Sequence, residues 1–182
     1  MTDEILFFDN DCISAFLWIN NTSIITKLYG GKIAIPTQVY AELSACRGVA
    51  VVLKERIDKM LANNEAVCVD MLTDSNEYAI FSKLALDPPE GTKVIGRGEA
   101  ACIALAAERN GVLASNNLSD VKRYIDEYKI KHTTTADILV EAYKKRVITF
   151  EEAETIWAEM LSKRRRIGAD SFKKYLEYKT SK

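Results

Sequence analysis

Residues 4–18 read Glu-Ile-Leu-Phe-Phe-Asp-Asn-Asp-Cys-Ile-Ser-Ala-Phe-Leu-Trp, and this stretch decides the fold. Residues 5–8 form an uninterrupted apolar run, which is typical of a strand buried on both faces of a parallel sheet. Asp9 ends the run, Asp11 follows two residues later, and a second, largely apolar run occupies residues 13–19. Because open α/β sheets bind ligands at the carboxyl ends of their strands, these carboxylates indicate a functional site. The alternative is that one of them only caps the following helix.

The composition is that of an ordinary globular domain. The 182 residues are 48% hydrophobic and 28% charged, which is enough for one domain with a sizeable core. No apolar run approaches the ~20 residues that a membrane-spanning helix needs, and the first residues lack the basic start of a signal peptide. We therefore expect a cytoplasmic protein with no membrane partner.

The rare residue types exclude several kinds of hydrolase. The four cysteines lie among mostly apolar neighbours and form no Cys-x-x-Cys pair, so we expect them to be reduced core residues. His132 is the only histidine. These features argue against a zinc hydrolase and against a Ser-His-Asp or Cys-His enzyme. Hydrolysis by this chain would therefore depend on carboxylates with a hard cation such as Mg²⁺ or Mn²⁺.

Strand and helix patterns alternate along the chain. With helices between them, short strands are expected at residues 5–8, 32–35, 66–69, 112–114 and 131–133. This alternation predicts βαβ units and a parallel β-sheet flanked by helices, in an α/β fold. Further helices are expected after the last strand, one of them beginning with the capping box of Thr149 and Glu152. We expect residues 1–133 to form the α/β domain and residues 134–182 to form a helical C-terminal extension packed on it.

Four acidic side chains occupy positions that a doubly wound sheet can bring to one edge. Asp9 follows the first strand, Glu42 lies in the helix after the second, Glu99 opens the helix before the fourth, and Asp120 follows the fourth. Carboxylates packed together cannot all ionise easily unless cations neutralise them, so such a cluster indicates a metal site. Each acid alone also fits a helix charge or, for Asp120, the N-cap of a helix beginning near Val121.

The sign of the charge changes along the chain. Residues 1–121 carry 16 acidic and 10 basic side chains, whereas residues 122–182 carry 10 acidic and 15 basic ones. An acidic part followed by a basic part suits a metal centre beside a surface that binds a polyanion. An ordinary mixed surface is the alternative.

Four blocks of the chain carry a further signal through their order. They are Phe-Asp-Asn-Asp-Cys-Ile-Ser-Ala at residues 8–15, Ile-Pro-Thr-Gln-Val-Tyr-Ala-Glu-Leu at 35–43, Gly-Glu-Ala-Ala-Cys-Ile-Ala-Leu-Ala at 98–106 and Leu-Ala-Ser-Asn-Asn-Leu-Ser-Asp-Val at 113–121. Together, across residues 4–133, they resemble the PIN domains, a family of metal-dependent ribonucleases. The resemblance implies a PIN-like α/β/α sandwich, with the later helices as an extension found in a subset of such proteins.

The same resemblance implies a Mg²⁺- or Mn²⁺-dependent endoribonuclease. The metal would lower the pKa of a bound water that attacks a phosphodiester of RNA, and its ligands and catalytic residues would be Asp9, Glu42, Glu99 and Asp120. Supporting side chains would be Asp11, Ser115, Asn116 and Asn117. The cations that grip RNA would be Lys163, Arg164, Arg165 and Arg166. The implied partners are RNA, an antitoxin protein if the chain is the toxin of a toxin–antitoxin pair, and a second copy of the chain in a homodimer.

Two positions depart from the family pattern. PIN domains usually carry Asn, Ser or Thr where this chain has Asp11, and they commonly have an acid near Asn116 and Asn117, where this chain has none before Asp120. If Asp120 does not reach the metal, one ligand is lost. A catalytically degenerate PIN domain that binds RNA or protein without cleaving is therefore one alternative.

A second enzyme class also fits the opening stretch. Residues 8–13 resemble the Asp-x-Asp-x-(Thr/Val) start of haloacid-dehalogenase-like phosphatases, in which Asp9 would be the covalent nucleophile and Asp11 the general acid. Those enzymes usually have Gly after the second Asp, whereas here an apolar helix follows directly. This hypothesis explains neither Glu42 nor Glu99.

Overall fold

A computed structural model describes residues 4–181. The first three residues of the predicted α/β domain and the last residue of the predicted extension lie outside the described residues. The strands are β1 Leu6–Phe8, β2 Ile33–Pro36, β3 Val67–Val69, β4 Val112–Ala114 and β5 Lys131–Thr133. The α-helices are α1 Asn10–Trp18, α2 Ser23–Tyr29, α3 Thr37–Ser44, α4 Val51–Ala62, α5 Asn76–Ala85, α6 Arg97–Glu108, α7 Leu118–Tyr128, α8 Thr135–Lys144, α9 Phe150–Ser162 and α10 Phe172–Thr180. A 3₁₀ turn at Gly48–Ala50 precedes α4.

The five strands form one parallel sheet in the order β3-β2-β1-β4-β5, flanked by helices. β1 is the central strand, with Leu6 opposite both Ile33 and Val112. All three of its residues are buried, as expected of an apolar strand covered on both faces. The predicted parallel α/β/α fold is confirmed. Because parallel strands end at the same edge, the residues that follow β1, β2 and β4 lie close together.

Two helices begin earlier than the sequence pattern predicts. The Asp9 side chain accepts a hydrogen bond from the Cys12 N–H, so α1 begins directly after it, three residues before the apolar run at residues 13–19 that indicates a helix. α7 begins at Leu118, three residues before the expected start near Val121. Its N-cap, Asn117, makes no side-chain capping bond, so the usual sequence signal for a helix start is missing there.

The cysteine prediction is partly wrong. Cys12 and Cys102 are buried and Cys46 is half-buried, and all four cysteines are free. Cys68, however, is exposed. It lies in β3, an edge strand whose other two residues are exposed or half-buried. An apolar neighbourhood in the sequence therefore did not guarantee burial at the sheet edge.

The last three helices share the hydrophobic core with the sheet. Trp157 of α9 and Phe172 of α10 are fully buried, and their rings lie 5.9 Å apart. The predicted capping box at the start of α9 is confirmed, because Thr149 accepts from the Glu152 N–H and Glu152 accepts from the Thr149 N–H. The division into residues 1–133 and 134–182 stays a prediction. Among residues 4–181, no helix is both long and apolar enough to cross a membrane.

Candidate active site at the carboxyl edge of the sheet

Asp9 connects the central strand to the first helix. Its N–H donates to the Ala114 carbonyl at 3.0 Å, which extends the pairing of β1 with β4. Its carboxylate accepts the Cys12 N–H at 2.7 Å and interacts with the Ser115 hydroxyl. The residue is only 4% exposed, and burial raises its pKa to about 6, with smaller contributions from the charges of Asp11 and Glu42. Asp9 therefore caps α1, as the alternative interpretation holds, and is also a buried carboxylate at the end of β1.

Glu42 reaches the same edge from α3 and is held by two donors. Its Oε1 accepts the Gly98 N–H at 2.9 Å, and its Oε2 accepts from Asn10 Nδ2 at 3.1 Å. A Cβ at position 98 would lie 2.8 Å from Glu42 Oε1, so only glycine fits there without displacing a neighbour. The sequence pattern assigned no role to Asn10 or Gly98. The available signal was the Gly-Arg-Gly that precedes Glu99.

Glu99 lies in the first turn of α6 and is partly buried. Its pKa is raised to about 7, first by burial and then by the negative charges of Asp9 and Asp120. The Asn117 amide and the Lys93 ammonium oppose this rise. The structure therefore brings Glu99 close enough to both other acids for their charges to interact.

Asp120 forms an ion pair that the sequence did not predict. Both of its oxygens lie 2.7 Å from Lys93 Nζ, and hydrogen bonds from Lys93 and Asn117 lower its pKa. It lies inside the first turn of α7, whose N-cap is Asn117, so the alternative that Asp120 is the N-cap is wrong. Lys93 precedes Asp120 by 27 residues, in a loop with no local pattern that indicates the pairing.

The turn after β4 contains three polar residues with different partners. Ser115 is fully buried, and its Oγ accepts the Asn117 N–H at 3.2 Å. The Asn117 amide interacts with the carboxylates of Glu99 and Asp120. Asn116 instead points to α8, where its side chain donates to Thr135 Oγ1 and accepts the Thr135 N–H, both at 2.9 Å. Ser115 and Asn117 thus contact the acids that they were predicted to support. Asn116 does not, and instead joins the turn after β4 to α8.

Asp11 and the basic run meet at the rim of the site. Asp11 is exposed, and its Oδ1 lies 3.5 Å from Arg165 Nη1, which is also 3.5 Å from Ser14 Oγ. The side chains of Lys163, Arg164 and Arg166 are exposed and form no ion pair or hydrogen bond within residues 4–181. Of the four predicted RNA-binding cations, Arg165 therefore pairs with an acidic side chain at the rim of the candidate site.

The donor set suits a hard divalent cation in its chemistry. The side chains that converge offer carboxylate, amide and hydroxyl oxygens, which Mg²⁺ and Mn²⁺ prefer. Burial and mutual repulsion hold the pKa values of Asp9 and Glu99 well above their ordinary range, and a cation would relieve both effects. Within residues 4–181, however, no three His, Cys, Asp or Glu side chains lie close enough to bind one ion. Asp120 is instead paired with Lys93, and Glu42 accepts hydrogen bonds from Gly98 and Asn10.

The fold and the site define a doubly wound α/β protein with acidic side chains gathered at the carboxyl ends of its central strands. A family model described as DUF3368, PIN domain, matches residues 5–180, and the chain belongs to the PIN-domain family. A solved structure, VapBC2 from Rickettsia felis bound to a DNA fragment from their promoter, has a chain of similar fold. The TM-score is 0.51 at 18% identity, and the match covers 71% of this chain and 98% of that one. No curated protein matches the chain.

Proposed function

We propose that the chain is a metal-dependent endoribonuclease that hydrolyses phosphodiester bonds of RNA. The observation that carries the proposal is the pairing of buried Asp9 with partly buried Glu99 at one strand edge, where their pKa values are raised to about 6 and about 7. Family membership supports the PIN interpretation of residues 8–15 over the haloacid-dehalogenase one. A bound Mg²⁺ or Mn²⁺ would supply electrophilic activation of the phosphodiester and of water.

The residues around the pair have separate tasks in this proposal. Asp9 and Glu99 would hold the cation, and Glu42 and Asp120 would have to leave their contacts with Gly98, Asn10 and Lys93 to join them. Ser115 keeps the Asp9 carboxylate oriented through its hydroxyl, and the Asn117 amide does the same between the two acids it contacts. Such supporting groups typically contribute 10- to 100-fold to metal affinity or activity.

The test is Asp9→Asn, assayed for cleavage of single-stranded RNA in Mn²⁺. We expect cleavage to be abolished with the fold intact, and thermal stability in EDTA to hold or rise because a buried charge is removed. Asp126→Asn is a matched control, since Asp126 is exposed on α7 six residues, or ~9 Å, beyond Asp120. An Asp9→Asn variant that cleaves RNA at the wild-type rate would end the proposal.

A second candidate is a PIN domain that binds RNA or protein without cleaving. It is favoured by the Lys93–Asp120 ion pair and by the lack, within residues 4–181, of three acids placed around one point. Calorimetric titration with Mn²⁺ distinguishes the nuclease from the non-cleaving binder. Binding that Asp9→Asn abolishes supports the nuclease, and no binding by the wild-type protein supports the binder.

For the biological role, we infer that the chain acts as a toxin restrained by an antitoxin protein, as the family resemblance implies. Expression of the wild-type chain alone should arrest growth, and expression of Asp9→Asn should not. Unaffected growth together with RNA cleavage by the purified protein would count against the role. The homodimer stays a prediction.

A further inference from the structure

A small cavity, here the edge cavity, lies between the turn after β4, the start of α8 and the segment that leads into α10. Its volume is about 120 Å³. Sites for drug-sized ligands have ~300–1,000 Å³, so the edge cavity suits a single ring system. Asn116 lines it, and the two neighbours of Asn116 in the chain contact Asp9 and Glu99. The edge cavity therefore adjoins the same turn that supports the carboxylates.

The walls of the edge cavity are mainly apolar and are held in place. Leu118, Ala136 and Ile167 contribute aliphatic groups, and Tyr175 contributes an aromatic ring. The Tyr175 hydroxyl donates to Asp137 at 2.9 Å, which fixes the orientation of the ring. An aromatic ring among aliphatic groups is the kind of surface on which unpaired nucleobases stack.

A cation without a partner stands at the same cavity. Arg166 is exposed, lines the cavity, and forms no ion pair or hydrogen bond in the part of the chain that the structure describes. Arg165, the residue before it, is instead engaged with Asp11 and Ser14. The edge cavity therefore combines a small, mainly apolar space with an available positive charge, and a nucleotide has a flat base and a phosphate that match them.

We propose that the edge cavity receives the base of a nucleotide next to the scissile phosphate, and so sets the sequence preference of cleavage. Arg166 contacts the phosphate of that nucleotide, and Tyr175 with its aliphatic neighbours packs against the base. The inference rests on the proposed function and deepens it. Its first test does not require cleavage.

The first test is a titration of the wild-type protein with the four 5′-mononucleotides in EDTA, followed by amide chemical shifts in NMR spectra. Ribose 5-phosphate, which lacks a base, is the control ligand. We expect one or more mononucleotides to bind about 10-fold or more tightly than ribose 5-phosphate, as base stacking predicts. The largest shifts should fall at Leu118, Ala136 and residues 166–168.

Two variants tie the binding to the cavity. Ala136→Val adds two methyl groups to the cavity wall and should weaken mononucleotide binding. Arg166→Gln should weaken it as well, whereas Arg47→Gln, at an exposed arginine outside the basic run that does not line the cavity, should not. Because Arg166 is exposed, its variant tests the proposal even if Ala136→Val fails to fold. Equal binding of ribose 5-phosphate, equal effects of the two Arg variants, or shifts away from the cavity would overturn the proposal.

The second test maps cleavage sites on a mixed-sequence single-stranded RNA in Mn²⁺. Arg166→Gln and Ala136→Val should redistribute the cut sites relative to Arg47→Gln. A wild-type protein that binds mononucleotides in the cavity but cuts no RNA would overturn the proposed nuclease and leave the base site standing. A protein that cuts RNA at the same sites in all variants and binds no base would overturn the base site alone.

Discussion

Gly98 leaves room for the Glu42 carboxylate. The importance of this space is tested by adding one carbon at position 98. In Gly98→Ala the new Cβ would lie 2.8 Å from Glu42 Oε1, and the carboxylate must move. We expect Mn²⁺ affinity to fall roughly 10-fold or more, the range seen when the support of a ligand is lost. Gly96→Ala is the matched control, because a Cβ there meets nothing within 4 Å. Equal Mn²⁺ affinities of the two variants would contradict the role given to Gly98.

The raised pKa values of Asp9 and Glu99 predict a pH dependence of stability in EDTA. Their ordinary values are 3.8 and 4.5, and their values here are about 6 and about 7. Between those limits the folded protein binds more protons than the unfolded chain, so the free energy of unfolding decreases as the pH rises. The stabilising contribution of these groups is complete below pH ~4 and is lost as the pH rises towards 7. Thermal melts from pH 4.5 to 7 should show a decline that Mn²⁺ reduces.

The variant Glu99→Gln, whose side chain cannot ionise, measures how much Glu99 contributes to the loss of stability with rising pH. Its melting temperature should fall less than that of the wild-type protein as the pH rises. Glu108→Gln, at the exposed end of the same helix, is the control and should follow the wild-type protein. If Glu99→Gln and the wild-type protein lose stability in parallel, the pKa of Glu99 is not raised in the folded state.

At the scale of elements, α7 presents Asp120 to Lys93 from its first turn. The ammonium competes with any cation for both carboxylate oxygens. If Asp120 is a metal ligand, Lys93→Gln should raise Mn²⁺ affinity by about 2- to 5-fold, because an ion pair near the surface competes only weakly with a bound cation. Lys122→Gln, an exposed lysine of the same helix, should not change it. Lower or unchanged affinity in Lys93→Gln would mean that Asp120 does not bind the metal.

The elements also show how far the sequence alone could go. β1 and its sheet were predictable because residues 5–8 are apolar without interruption, and Asp9 because it ends that run. The start of α7 was not, since its N-cap, Asn117, makes no side-chain bond. The contact between Gly98 and Glu42 joins residues 56 positions apart. Such a pairing depends on how helices pack across the sheet, and no local pattern encodes it.

At the scale of the molecule, three cations of the basic run that have no partner within residues 4–181 predict a salt dependence of RNA binding. Each phosphate contact contributes about −0.7 to the slope of log affinity against log salt for single strands. Replacing Lys163, Arg164 and Arg166 together by Gln should therefore reduce the slope by about 2 when binding is measured in EDTA. Lys122→Gln, outside the run, should leave it unchanged. An unaltered slope in the triple variant would assign the run to ordinary solvated surface.

The order of the strands has a consequence for the synthesis of the chain. β1 is made first, yet one of its two neighbours is β4, which begins only at Val112. During translation Asp9 therefore emerges long before Glu99 and Ser115, and the three cannot meet until β4 has left the ribosome and paired with β1. If the chain cleaves RNA as proposed, its nearest RNA while it is being made is the ribosome itself. The late pairing of a central strand would keep the nascent nuclease inactive during most of that time.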